Sequence, residues 1–194
     1  MDKREKLIES AIKLFAENGI NGTSTGSIAK DAGVAAGTLF NYFPSKEDLI
    51  RSAYVECKKD MACNMQDEGV TGANFRELFR STYEQGLMWA LENPERNDFI
   101  QQFLRQPDLY DETLEEQLQG EMNFFKEGLV AAQGGGEIID VDIRYLQVLF
   151  TSWFDGSVRY IRTLEESRRA EFIEASFEML WGAITVGKPI AGVK

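Results

Sequence analysis

The chain has no histidine, two cysteines and four prolines among its 194 residues. It also has no uninterrupted apolar run near the roughly 18 residues of a membrane-spanning helix. Without histidine, neither a His-Cys zinc site nor a Ser-His-Asp or Cys-His catalytic unit can be assembled. No metal, no cofactor and no enzymatic activity are expected. Cys57 and Cys63 stand six apart in what reads as one helix, about 9 Å of axial rise and too far for a disulfide. They are expected as reduced packing residues. The opening MDKREKLIES is charged where a signal peptide would be apolar, so a cytoplasmic protein without membrane attachment is expected. Alternating apolar runs, the mark of half-buried strands, are missing too, and an all-α protein follows.

What the chain does have is a composition of 43% hydrophobic and 11% aromatic residues, ordinary for a folded protein, with a formal net charge of -11. The charge is unevenly placed. Through residue 51, Lys3, Arg4, Lys6, Lys13, Lys30, Lys46 and Arg51 are matched by an equal number of acidic groups, so the remainder carries the whole deficit. A neutral head and an acidic body can meet different partners.

Helix signals are dense. Asp2 can cap a helix over about Lys3 to Asn18, with Glu5 three residues on, a stripe of Leu7, Ile8, Ala11, Ile12 and Phe15, and Gly19 as its stop. Ser24 can cap a second helix through Ala32, and Gly33-Val34 turns the chain into a third, about Ala35 to Phe43, which Pro44 cannot continue. Ser45-Lys46-Glu47-Asp48 opens a fourth, reaching about Met65. Further helices are expected near 73–92, 94–105, 111–132, 141–163 and 167–186, punctuated by Asn93-Pro94, Pro107 and Gly134-Gly135-Gly136.

Two short helices joined by a tight glycine turn, with Ile28, Ala29, Ala32, Val34 and Leu39 placed inward, have the grammar of a helix-turn-helix. Small residues at the front of the third helix permit close approach to a major groove. Ala36, Gly37, Thr38 and Asn41 are the candidates for base edges, since Thr38 offers a hydroxyl and a methyl, and Asn41 an amide able to pair with adenine. Tyr42 and Lys46 suit phosphates, as do Ser24, Thr25 and Ser27 at the start of the second helix. Leu39, Phe40 and Phe43 read as core, and Lys13 and Lys30 as solvated charges.

The segment GINGTSTGSIAKDAGVAAGTLFNYFPSKEDL resembles the DNA-binding module of the TetR family of transcriptional regulators. The likeness is carried by Gly19, Thr23-Ser24, Ile28-Ala29, Ala32-Gly33-Val34, Gly37-Thr38-Leu39-Phe40, Tyr42-Phe43 and Lys46. It covers about a quarter of the chain by motif. The resemblance implies a nine-helix architecture, with a three-helix head and an all-helical body that dimerises and holds a ligand. Residues 1–48 would form the DNA-binding domain and 49–194 the ligand-binding and dimerisation domain. Phe40 stands where the family often has tyrosine, and Ala35-Ala36 where a hydroxyl and a basic residue are frequent, so one hydroxyl and one positive charge toward phosphate are absent.

Beyond residue 66 most aromatics fall at helical spacing and read as core. Phe103, Phe124 and Trp153 are candidates for the walls of a pocket, with Arg105 as a polar anchor and Gln102 and Asn123 as orienting groups. The last two helices are apolar on more than one face, through Ile143, Leu146, Phe150, Trp153 and Ile161 in one and Phe172, Ile173, Phe177, Leu180, Trp181 and Ile184 in the other. Such helices need partners on two sides, either within one subunit or across a homodimer, and the resemblance implies the dimer.

The expected function is that of a dimeric, sequence-specific DNA-binding regulator, a repressor released from a double-stranded operator by a small, largely apolar effector. Two other readings stay open on the residues alone. One is a helical interaction protein that keeps the head as a scaffold. The other is a helical enzyme with carboxylate chemistry, although Glu115-Glu116 and Glu165-Glu166 look like solvated helix faces.

Overall fold

The computed structural model describes residues 1–65, 74–118 and 123–185. Among them lie α1 (Lys3–Asn18), α2 (Thr25–Asp31), α3 (Ala36–Tyr42), α4 (Lys46–Met65), α5 (Phe75–Glu92), α6 (Pro94–Leu104), α7 (Glu112–Leu118), α8 (Asn123–Gly134), α9 (Ile143–Ile161) and α10 (Glu166–Ile184), with a 3-10 turn at Pro107–Leu109. The described residues contain no strand; their one extended pairing is an isolated antiparallel bridge between Ile138 and Thr185. The single helix expected over 111–132 is present as two, α7 and α8.

Local chemistry accounts for the helix ends. Asp2 and Glu5 form a reciprocal capping box on α1: the Glu5 amide donates to Asp2 Oδ1 at 2.8 Å, and the Asp2 amide to Glu5 Oε2 at 2.7 Å. Gly19 ends the helix at φ +81°, a conformation in which a Cβ would be strained. Ser45 and Asp48 repeat the box at α4, where the Asp48 amide donates to Ser45 Oγ at 3.0 Å and the Ser45 amide to Asp48 Oδ2 at 3.1 Å. Pro94 stands in the first turn of α6, where its missing N–H costs nothing.

The chain forms two compact units, Met1–Ala62 with Asn93–Glu121, and Cys63–Glu92 with Met122–Lys194. These units do not coincide with a division after residue 48, because α6 returns to pack along α1. Leu7, Ile8, Ala11, Ile12 and Phe15 are all buried on α1, and the Phe15 ring stacks on Phe99 of α6 with centroids 5.4 Å apart. Each such large side chain removed from water contributes about 1.5–3 kcal/mol. Tyr54 of α4 stacks on Phe103 of α6 at 3.9 Å. Arg96 of α6 joins the same helices, donating to Glu9 Oε1 at 2.6 Å and reaching Asp60 at 3.9 Å. Its guanidinium also lies 3.9 Å from Cys57 Sγ. Burial pushes the Cys57 thiol up to about 12 even so, which leaves it an inert packing group.

The second unit is built on α5, α9 and α10, with α8 against α5. Phe79, Tyr83, Phe150, Phe154, Phe177 and Trp181 supply its aromatic core. A buried polar knot fixes the three helices in register. The Tyr83 hydroxyl lies 2.9 Å from Ser157 Oγ and 2.5 Å from Ser176 Oγ, the two serines are 2.9 Å apart, and Trp153 Nε1 donates to Ser176 Oγ at 3.2 Å. Every member is therefore satisfied, the condition under which buried polar groups do not destabilise. Phe79, Leu129, Leu146, Leu149, Phe150, Leu180 and Ile184 line an apolar cavity of about 20 Å³ in the same unit.

Candidate nucleic-acid interface

The interface begins with two buried anchors. Ile28 and Ala29 of α2 are buried, and so are Leu39 of α3 and Phe43 just after it. The turn between the helices is closed by the Val34 amide donating to the Ala29 carbonyl at 2.9 Å and the Ala32 amide to the Ile28 carbonyl at 2.9 Å. Gly33 sits at φ +68° within that turn, where only glycine is unstrained.

With Leu39 and Phe43 inward, helical geometry sends the other side chains of α3 outward. Ala36, Gly37, Phe40, Asn41 and Tyr42 are exposed, and Thr38 is half-buried. A Cβ built on Gly37 would meet nothing within 4 Å, so packing inside the chain gives no reason for a glycine there. The segment AGTLFNY carries no formal charge. Phe43 occupies the core as its pattern suggests, but Phe40 is 51% exposed and does not. The signal for this was present: Phe40 lies about 100° around the helix from Leu39, off the stripe that Leu39 and Phe43 already define one turn apart.

At the start of α2, Ser24 is the cap, accepting from the Ser27 amide at 3.1 Å, and the Ser27 hydroxyl donates to the Ser24 carbonyl at 2.7 Å. Ser24 and Ser27 are exposed and Thr25 is half-buried. Lys13 is not a lone solvated charge. Its Nζ pairs with Asp31 Oδ1 at 3.0 Å, tying α1 to the end of α2, and the bond from Lys13 holds the Asp31 carboxyl below its ordinary range. Lys30 is exposed.

Lys46 is half-buried and donates from Nζ to the Ile20 carbonyl at 2.6 Å. On the other side of that residue, the Ile20 amide donates to Gln102 Oε1 at 3.1 Å, while Gln102 Nε2 donates to the Ala16 carbonyl at 3.4 Å. Gln102 thus braces the link between α1 and α2, a role that its place in the sequence gives no hint of, since both partners lie more than eighty residues away.

The four residues expected at a pocket are not brought together within either unit. Phe103 is buried against Tyr54 in the first, and Arg105 caps the end of α6 on the exposed surface. Trp153 is half-buried in the second unit, on Ser176. Phe124 lies on α8 and Asn123 begins it, but both side chains fall outside the described residues.

Against known proteins, residues 7–53 match the sequence model for "Bacterial regulatory proteins, tetR family". YuxN of Bacillus subtilis, an HTH-type transcriptional regulator, is 36% identical over 60% of this chain, which spans only 40% of that protein. The fatty acid metabolism regulator protein of the same organism is 27% identical over 80% of this chain and 81% of its own. Among solved structures, a TetR-family regulator from a Shewanella species superposes with a TM-score of 0.87 at 29% identity, covering 96% of this chain and 100% of that one. A second, from Marinobacter aquaeolei, shares the fold with a TM-score of 0.82 at 23% identity, covering 94% and 95% of the two chains. These relatives are regulators of transcription and not enzymes. Residues 7–53 thus match the head of the TetR family of transcriptional regulators, and the chain shares its fold with solved TetR-family regulators.

Proposed function

We propose that this regulator is a homodimeric repressor whose head, residues 1–48, binds a double-stranded operator and is released by a small, largely apolar ligand. The observation that carries the reading is α3, a helix seated on Leu39 and Phe43 that exposes Ala36, Gly37, Phe40, Asn41 and Tyr42 on its outer side. Ala36, Gly37, Thr38 and Asn41 meet base edges. Ser24, Thr25, Ser27, Tyr42 and Lys46 take phosphates, Lys46 with the two ammonium protons that its bond to Ile20 leaves over.

Dimerisation runs through the last two helices. Tyr145, Val148, Leu149 and Tyr160 on α9 and Met179 on α10 are exposed apolar groups, and a second copy of the chain would cover them. Repression has support from KstR2 of Mycobacterium tuberculosis, an HTH-type transcriptional repressor 40% identical over 48 residues. An apolar effector accords with the likeness to a fatty acid metabolism regulator.

The effector enters the second unit, with Trp153 as a wall. Phe103 and Arg105 are weaker candidates, given the core stacking of one and the exposure of the other. The small apolar cavity of that unit is lined by other residues, Phe79 and Phe150 among them, and would have to widen toward Trp153 to receive it. The helix α4 belongs to both units, so a shift at Cys63–Met65 can be passed toward the head. A ligand moves the equilibrium only by its preference for the released state; a hundredfold preference supplies about 2.7 kcal/mol per site. The test is binding of purified protein to genomic fragments over a series of salt concentrations, with light scattering on the same sample. A dimer that selects a roughly palindromic site is expected; a monomer, or equal affinity for all fragments, overturns the reading.

A further inference from the structure

The reading face of α3 is unusual in what it offers a base. The commonest specific contact in a major groove is Arg or Lys to the O6 and N7 of guanine. The helix AGTLFNY has neither, and Lys46 just beyond it is turned to the Ile20 carbonyl. What α3 does present is an amide, Asn41, and apolar surface: the half-exposed ring of Phe40 and the methyl groups of Ala36 and Thr38. Asn41 lies one turn from Gly37 on the side opposite the buried Leu39, so it points furthest out. Phe40 and Thr38 flank it at about 100° from Leu39 on either side.

Each of these groups favours the same pair. An asparagine amide makes two hydrogen bonds to adenine through N6 and N7, but one to cytosine through N4. Thymine is the one ordinary base that carries a methyl group into the major groove, where a ring or a methyl can cover it. The empty space around Gly37 lets the helix come close enough for such short groups to touch.

We infer that α3 reads A·T pairs, with Asn41 on adenine and the Phe40 ring packed on the methyl of a thymine. Phe40 is a specificity-determining residue on this account and not a core aromatic. The inference rests on the proposed entry of α3 into a major groove. It goes further in naming the sequence class of the half-site and the atom that Phe40 recognises.

The test is selection from a library of randomised duplexes, made with the wild type, Asn41→Ala and Phe40→Ala. Positions whose preference is lost in Asn41→Ala mark the pairs under α3. The selected duplex is then made again with each thymine in turn replaced by deoxyuridine, which removes only the methyl group. A·T pairs are expected at the marked positions. One or more deoxyuridine substitutions per half-site should weaken wild-type binding about fourfold, as roughly 0.8 kcal/mol per buried methyl converts at 1.4 kcal/mol per tenfold.

In Phe40→Ala that penalty should vanish, whatever the melting temperature does, since about half of the side chain is covered in the fold. Guanine or cytosine at the marked positions overturns the inference. So does indifference to deoxyuridine combined with an even loss of affinity on all sequences in Phe40→Ala, which would place the ring against the backbone. Failure to enrich any sequence removes the DNA-reading proposal itself, and this inference with it.

Discussion

Replacing Lys46 by alanine should have two separable effects, because its ammonium group makes one internal bond and, in the proposed function, one contact to phosphate. The first is internal. Nζ donates to the Ile20 carbonyl at 2.6 Å, and Ile20 is itself buried. A hydrogen bond from a charged donor is worth about 1.5–3 kcal/mol, and the half-exposure of Lys46 puts the loss at the lower end, about 1.5 kcal/mol. For a chain of this length that lowers the melting temperature by roughly 3–6 °C at fixed protein concentration. The second is external, and loss of one phosphate contact should flatten the dependence of log affinity on log salt by about 0.9.

Thermal melts and fluorescence anisotropy over a salt series, on a selected operator and on random duplex, measure both. Gln102→Ala is the control: it cuts the other half of the Ile20 brace and should lower the melting temperature comparably while leaving the salt slope alone. A flattened slope with no thermal effect would show that the Ile20 bond does not form in solution. A thermal effect with no change in slope would reduce Lys46 to a buttress.

Gly37→Ala should raise stability by about 0.5–1 kcal/mol, since the added methyl group meets nothing and glycine is the poorer helix former, yet it should weaken operator binding; unchanged affinity would deny close approach. Asn41→Ala should cost roughly 1–3 kcal/mol on the best site and relax preference at one or two base pairs, measured by competition against single-base variants; equal losses on random DNA would refute its role as a reader. Ser176→Ala should destabilise more than Ser157→Ala in urea, because it strips both the Tyr83 hydroxyl and Trp153 Nε1 of a partner, and the reverse order would mean that the polar knot is wired differently. In the native protein Cys63, which is exposed, should react with a thiol reagent at neutral pH while Cys57 reacts only on unfolding; simultaneous labelling would contradict the burial of Cys57 and the thiol held up near 12.

How far the sequence could be read depended on the range of the interactions. The capping box of Asp2 and Glu5, the stripe of α1, the stop at Gly19, the Ser24 cap and the glycine turn at Gly33 are all settled by residues within a few positions of each other. They are visible in the sequence for that reason. The packing of α6 on α1 is not, because Phe99 looks like any core aromatic until its partner Phe15 is known. Gln102 was invisible for the same cause: a polar side chain at half-exposure carries no periodic signal, and its acceptor and donor are backbone atoms far along the chain. Phe40 departs from the core expected of it because helical phase outweighs composition. An aromatic on a seven-residue helix suggests burial, whereas the two anchors at Leu39 and Phe43 had already filled the one face that could be buried.

The return of α6 has a consequence for how such a protein can evolve. The motif that reads DNA is contiguous, and cutting after residue 48 would seem to yield a cassette that recombination could move from one body to another. Such a graft would arrive without Phe99, against which Phe15 stacks, without Arg96 opposite Glu9, and with the Ile20 amide stripped of Gln102. Exchange of operator specificity between relatives must therefore carry two separate stretches of gene together, or else proceed by point substitution on α3, where Ala36, Gly37 and Asn41 face outward.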